Sequence, residues 1–460
     1  MCLRSGCICH SGSYLSPLPG GILAVAYLLT TKWVSGLAGI AVVFLLLSFD
    51  WFRYLSLMAM SHMFMALLGL LMVWIWLNWR RAFHTGWAIA LGIICGWAAI
   101  TRPIDAACFA LPLVVASGWQ LSRQPIRQTL GRLLPVCIAA APFLAVQLII
   151  NVGITGRITD NAVARYNREY RPAERIDSAP RADDYPPPTS LRQFQIYHSR
   201  FLVNAVTAYR KMSKVKLLHE RLAIFLNMPL PSSLLLTLIP LSMLQLSRSV
   251  RWVLAAVPPL LILGYAFYPH YLAQYTVVSV TALYVLIVLG VQRLVDPASP
   301  SNKPPASGYR VAVKAALTVM LISFAIGALP EMHRPEHMLE KPSTLLFDVQ
   351  QQLESLSEPS VVFFRFTAED PEIEVHDEPV YNLDAADPDR ARVIRVHNLG
   401  LVEDAKLIAY YGSSQPGRKM YIYLRNGRQL VPWGTASQLM NGGALVYPTA
   451  AAEWRGRQAN

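Results

Sequence analysis

Apolar stretches nearly as long as a bilayer is thick recur from residue 20 to residue 330 and then cease. A spanning helix needs roughly 20 mostly apolar residues. Stretches near that length fall at 20–31, 35–49, 62–78, 86–101, 104–121, 133–151, 223–246, 252–268, 271–292 and 311–329. The pattern therefore predicts an all-α polytopic membrane domain of about ten transmembrane helices over 20–330, after an atypical leader over 1–19. After Pro330 the composition becomes that of a soluble domain. Ser343–Leu356 has helical periodicity, Val361–Phe366 reads as a buried strand, and Arg392–Val396 and Met420–Leu424 read as further strands around a helix near Glu403–Tyr411. Strands alternating with helices predict a small α/β domain over 331–460.

Two polar stretches interrupt this pattern. Asp296–Tyr309 (DPASPSNKPPASGY) is a Pro/Ser-rich linker. The loop 152–222 is too polar to span and too long to be a turn; it is rich in Tyr, Arg and Pro and then helix-compatible from about Leu191 to Arg221. Loops of that length tend to be lids or binding loops; the alternative is a partly ordered connection.

Charge gives the helices a direction. The net charge is +13 although only 15% of residues are charged and 54% are hydrophobic, with a mean hydropathy of +0.35. The basic residues do not gather on a soluble face, so no nucleic acid is expected. They fall in alternate loops, at Arg80/Arg81, Arg123/Arg127/Arg132, Arg248/Arg251 and Arg293/Lys303/Arg310/Lys314. The positive-inside rule makes that side cytoplasmic. The opposite side then holds Asp50–Ser61, Arg102–Asp105, the loop 152–222, Pro269-His270-Tyr271 and the C-terminal domain.

Candidate chemistry gathers on that opposite side. Ionisable residues at the ends of apolar helices are costly and usually face a cavity or headgroups. His62 is placed to hydrogen-bond a phosphate or to cap its helix. Arg102 is placed to hold a phosphate bidentately or to snorkel to headgroups. Asp105 is placed to pair with Arg102 or to act as a base. Tyr268, Tyr271 and Tyr275 fit an interfacial aromatic belt, which leaves His270 unaccounted for. Gly92 and Gly96 form a small-xxx-small helix-packing face. Of six cysteines, Cys95, Cys108 and Cys137 lie in apolar spans, and Cys2, Cys7, Cys9 and His10 have no zinc-site spacing. Asp384, Asp387 and Asp389 lack the glycine and terminal glutamate of a calcium loop and read as turn residues. No metal and no cofactor is expected.

The order of these elements carries a resemblance. LLLSFDWFRYLSLMAMSHMF, a basic turn, LGIICGWAAITRPIDAACFALP, NVGITGRITDNAVARYNREYRP and FYPHYLAQY resemble the GT-C class of integral-membrane glycosyltransferases, of the bacterial protein O-mannosyltransferase and aminoarabinose-transferase type. VVFFRF, EPVYNLDAADPDRARVI and HNLG resemble the small extracytoplasmic domain of some bacterial members. The resemblance implies transfer of a sugar from a polyprenyl-phosphate carrier to an acceptor at the outer membrane face. It makes His62, Arg102, Tyr166, Tyr170, His270 and Tyr271 candidate substrate-binding residues. The family's general base is an aspartate on the first outer loop, and nothing before Gly20 matches that loop. The chain is expected to lack it; Asp50 and Asp105 lie on the same side as catalytic candidates but do not match the family aspartate, which puts transfer activity in question. Competing readings are a non-catalytic membrane scaffold presenting the C-terminal domain, and a secondary transporter, which would favour inverted repeats and mid-bilayer charges.

Overall fold

A computed structural model describes residues 17–57, 60–165, 207–209, 211–227, 229–230, 233–243, 251–266, 268, 271–295, 308, 311, 344–365, 380, 382, 387–424 and 428–448. They fall into two compact units, one within Met1–Tyr166 and Ala208–Met338, the other chiefly from Leu339 onwards.

The first unit is helical, and local chemistry sets where its helices stop. α1 (Pro17–Trp33) is followed by α2 (Gly36–Ser48), whose N-cap Ser35 accepts from the Ala38 amide. At Phe49 the chain bends by 74° into the short α3 (Asp50–Ser56). α4 (Ser61–Ala82) ends on Phe83, which takes a left-handed conformation at φ 50°. α5 (Thr85–Thr101) starts where His84 Nδ1 accepts from the Gly86 amide. α6 (Pro103–Leu121) opens on a proline, whose missing N–H would have no helical partner there. α7 (Ile126–Thr155) closes on Gly156 at φ 72°, the conformation glycine adopts most cheaply at a helix end. The Thr155 hydroxyl lies 2.8, 2.9 and 3.0 Å from the carbonyls of Asn151, Asp160 and Arg157. The Asn-x-x-x-Thr-Gly segment thus stops a helix.

The chain resumes with α8 (Lys214–Asn227), a 3₁₀ turn at Ser233–Thr237, and α9 (Leu238–Met243). Then come α10 (Trp252–Ala255), α11 (Val257–Tyr265), a 3₁₀ turn at Ala273–Val278 and α12 (Val280–Val295). α4 and α12 lie in the core, where Trp76, Trp79 and Tyr284 are fully buried. α7 behaves oppositely. Its most apolar 18-residue window has no buried residue, and Leu134, Ile138 and Ile149 are exposed, as suits a helix whose solvent is lipid. α5 lies tight against α7 along the small-residue face. A Cβ on Gly92 would come within 2.2 Å of the Val136 carbonyl oxygen, and one on Gly96 within 3.0 Å of that of Ala140.

Among the described residues, α4, α6 and α7 are long and apolar enough to cross a membrane, with α2–α3 a fourth if the bent pair is one span. This is fewer than the ten expected. The stretch 252–268 forms the shorter apolar helix Trp252–Tyr265, in which α10 gives way to α11 where Pro258 and Pro259 lack the N–H of an uninterrupted hydrogen-bond ladder. The stretch 271–292 divides between a 3₁₀ turn and α12. The expected span 311–329, the linker 296–309 and Asp384 lie outside the described residues, apart from the isolated positions 308 and 311 in those ranges.

The second unit contains a four-stranded sheet in the order β2-β1-β3-β4. Its elements run α13 (Thr344–Glu354), β1 (Ser360–Arg365), β2 (Val393–His397), α14 (Leu401–Ser414), β3 (Lys419–Leu424), β4 (Gln429–Thr435) and α15 (Ala436–Asn441). β1 pairs in parallel with β2 and β3, and β3 pairs antiparallel with β4. The continuous apolar run of β1 reflects burial on both faces: Val361 and Phe363 pack in one core layer, Val362 and Phe364 in the other. Arg418 ties the layers at one edge, donating to the carbonyls of Ser360, Ala391 and Asp389. Asp389 accepts from the hydroxyls of Tyr410 and Tyr411, which hold its carboxyl below the usual range. Burial pushes the Asp404 carboxyl up, against hydrogen bonds from the Leu399 amide, Tyr447 and Asn398.

Candidate functional site

The residues singled out at helix ends converge at one end of the helical unit. Ser61 and His62 open α4. Arg102 is the single residue between α5 and α6, and Asp105 lies on the first turn of α6, where the helix N-terminus favours a carboxylate. Arg102 and Asp105 form an ion pair through Nε and Oδ2. Asp105 is fully buried, and its other oxygen accepts from the Tyr265 hydroxyl at 2.7 Å. Arg102 Nη2 donates to that same hydroxyl at 3.1 Å, Nη1 reaches Ser61 Oγ at 3.4 Å, and the guanidinium lies 5.1 Å from the centre of the Tyr275 ring.

A guanidinium carries one N–H on Nε and two on each Nη. One from each nitrogen is engaged, so one N–H on Nη1 and one on Nη2 remain open among the described residues. His62 is 6% exposed, and neither of its ring nitrogens has a hydrogen-bond partner among the described residues. Its ring meets the Tyr275 ring edge to face at 5.2 Å. A buried polar atom left without a partner costs about 1–3 kcal/mol. The site therefore has a buried imidazole and open guanidinium N–H groups that a polar ligand would satisfy.

Tyrosines wall this site. Tyr265 ends α11 and stands 4.7 Å from Tyr275; Tyr271 stacks on Tyr275 at 5.6 Å. Arg221 on α8 fastens the segment, donating to the carbonyls of Tyr268 and Tyr271 at 3.2 and 3.3 Å while lying over the Tyr271 ring. Sequence reasoning missed Tyr265 and Arg221. Tyr265 lies three residues before the Tyr268 already marked as aromatic belt, so the tyrosine spacing was a usable signal. Arg221 gave none, since its partners are backbone carbonyls.

Of the other candidates, Asp50 pairs with Arg53 on α3, and among the described residues no hydrogen bond joins it to Arg102. Tyr166, Tyr170 and His270 lie outside the described residues. The described residues hold no cluster of His, Cys, Asp or Glu able to take a metal ion.

With the geometry in place, known structures can be compared. The crystal structure of ArnT from Cupriavidus metallidurans bound to undecaprenyl phosphate aligns over 95% of this chain and 85% of its own, at 14% identity and a TM-score of 0.50. The chain has an ArnT-like fold. The apo structure of that protein aligns over 89% of this chain and 78% of its own, at 14% identity and a TM-score of 0.46. No family model matches the chain, and no curated protein matches it in sequence. The ArnT likeness is one of fold, and with the long apolar helices it makes this an integral-membrane architecture carrying a small α/β unit.

Proposed function

We propose that the chain is a membrane glycosyltransferase of the GT-C type, taking a sugar from a polyprenyl-phosphate carrier at the outer face of the membrane. The observation that carries the reading is Arg102: half-buried, held by Asp105 and Tyr265, and still offering N–H groups on both terminal nitrogens among the described residues. A phosphate leaving group needs preorganised positive charge, and a guanidinium suits its oxygens. ArnT, whose fold the chain shares, is bound to undecaprenyl phosphate. His62, without a hydrogen-bond partner among the described residues and beside Tyr275, is the second phosphate or sugar contact, and Tyr271 forms part of the wall. His270, Tyr166 and Tyr170 complete the proposed substrate-binding set. The positive-inside rule places this end, the loop 152–222 and the residues from 331 on outside the cytoplasm.

In the reaction an acceptor oxygen bonds to the anomeric carbon, the bond from that carbon to the phosphate oxygen breaks, and the acceptor proton passes to a base. Asp105 is buried with both oxygens engaged, and Asp50 is paired with Arg53. That geometry favours a second reading, a scaffold that binds the lipid phosphate without transferring its sugar. One experiment separates the two: membranes carrying the full chain are given a polyprenyl-phosphate-linked labelled sugar. Transfer that disappears in Arg102→Gln supports the enzyme, and binding without transfer supports the scaffold. Undecaprenyl phosphate binding unchanged by Arg102→Gln would sink both.

A further inference from the structure

The opposite end of the helical unit is built differently. There α4, α5, α6 and α7 enclose a cavity of about 410 Å³, within the range of about 300–1,000 Å³ usual for ligand pockets. Its wall is apolar, with Leu91, Leu113, Val114, Leu133 and Val136. Trp79 also lines it, and the Trp79 indole N–H is buried with no partner among the described residues. The neighbouring Trp76 indole is satisfied by Ser117 Oγ at 2.8 Å.

Two arginines touch residues of the cavity wall. Arg80 lies over the ring of Trp76, a wall residue, and its Nε donates to Gln120. Arg132 lies 3.9 Å from the centre of the Phe83 ring and donates to Gln124, another wall residue. Neither meets a carboxylate among the described residues. The sequence explains why: from Ser61 to Thr155 the chain has one acid, Asp105, and it belongs to the other end. Arg81, Arg123 and Arg127 add to the same positive end.

We propose that this cavity takes one acyl chain of an anionic phospholipid from the surrounding bilayer, with its phosphate on Arg80 and Arg132. An ester or glycerol oxygen then accepts from the Trp79 N–H. Charge complementarity favours an anionic head, because neither arginine meets a carboxylate among the described residues. The apolar wall requires a hydrocarbon tail, and basic pockets between membrane helices are known to recruit such headgroups. The site is separate from the Arg102 cluster and does not depend on the proposed transfer reaction.

Native mass spectrometry of the full chain in mild detergent tests this, with phosphatidylglycerol titrated against phosphatidylcholine of the same chain length. Phosphatidylglycerol should be retained as a saturable adduct, at least about tenfold tighter than phosphatidylcholine, the effect of one charge-assisted hydrogen bond. The double variant Arg80→Gln/Arg132→Gln should lose that preference. Gly118→Leu should weaken retention with both arginines intact, because Gly118 lines the cavity and a Cβ there meets nothing within 4 Å. A phosphatidylglycerol carrying a mid-chain diazirine should label peptides from 110–136 in the unsubstituted protein. Equal retention of the two lipids, binding indifferent to both variants, or labelling confined to other segments overturns the proposal.

Discussion

The two ends of the helical unit treat their arginines in opposite ways. At one end the half-buried Arg102 pairs with the fully buried Asp105, with Tyr265 bridging both. At the other, Arg80 and Arg132 have amide oxygens and aromatic rings for partners and no carboxylate among the described residues. The first arrangement fixes a guanidinium in one geometry, at the cost of desolvating two charges. The second leaves cations half-exposed and adaptable, with little cost and little order. A preorganised cation suits a reacting or tightly bound phosphate; an adaptable one suits topogenic charge and lipid headgroups.

Breaking the buried pair should have the largest effect. Arg102→Gln leaves Asp105 buried with Tyr265 alone and should cost about 3–5 kcal/mol of stability, read by thermal unfolding in detergent. Arg102→Gln/Asp105→Asn should recover most of that loss while undecaprenyl phosphate binding stays weakened at least about tenfold. If the double variant is as unstable as the single, the pair is not what orders this end. Packing comes next. Gly92→Leu should destabilise by about 1–3 kcal/mol, since its Cβ position is already occupied by the Val136 carbonyl; an unchanged melting temperature would rule out the α5–α7 contact. Arg80→Gln and Arg132→Gln should each shift stability by under about 1 kcal/mol. A loss as large as that of Arg102→Gln would erase the contrast between the two ends.

The smallest effect titrates the same principle outside the membrane. Burial holds the His397 imidazole below its ordinary value of 6.5. As pH falls through 6.5, the unfolded chain takes up this proton before the folded one. The α/β unit should therefore lose stability towards the folded value, and be indifferent to His397 above 6.5. Hydrogen exchange in β2, corrected for intrinsic rates, should show this acid loss in the full chain and a flatter profile in His397→Gln.

Much of this was legible in sequence. The strand readings Val361–Phe366, Arg392–Val396 and Met420–Leu424 correspond to β1, β2 and β3 with ends shifted by one residue at most. Apolar runs of five or six residues bounded by turn chemistry leave few alternatives. β4 (QLVPWGT) was not legible, because a proline and a glycine interrupt it; as an edge strand it tolerates both. In the membrane unit, hydrophobicity alone placed the helices but did not show how short some of them are, as at Trp252–Tyr265.

The sequence by itself determined what each helix end carries: Ser-His before one apolar run, Thr-Arg-Pro after the next, and arginines without acids in the basic turns. Those are properties of residues near in the chain, and periodicity and charge report them directly. The tertiary structure decided which of them meet. Tyr265 stands 160 residues from Asp105, and Arg221 reaches the Tyr268 and Tyr271 carbonyls across 47 and 50. Such contacts follow from helix packing and backbone direction, which leave no local mark on the chain. The N–H groups of Arg102, and the His62 and Trp79 nitrogens, that stay open among the described residues are defined only once the neighbours are in place.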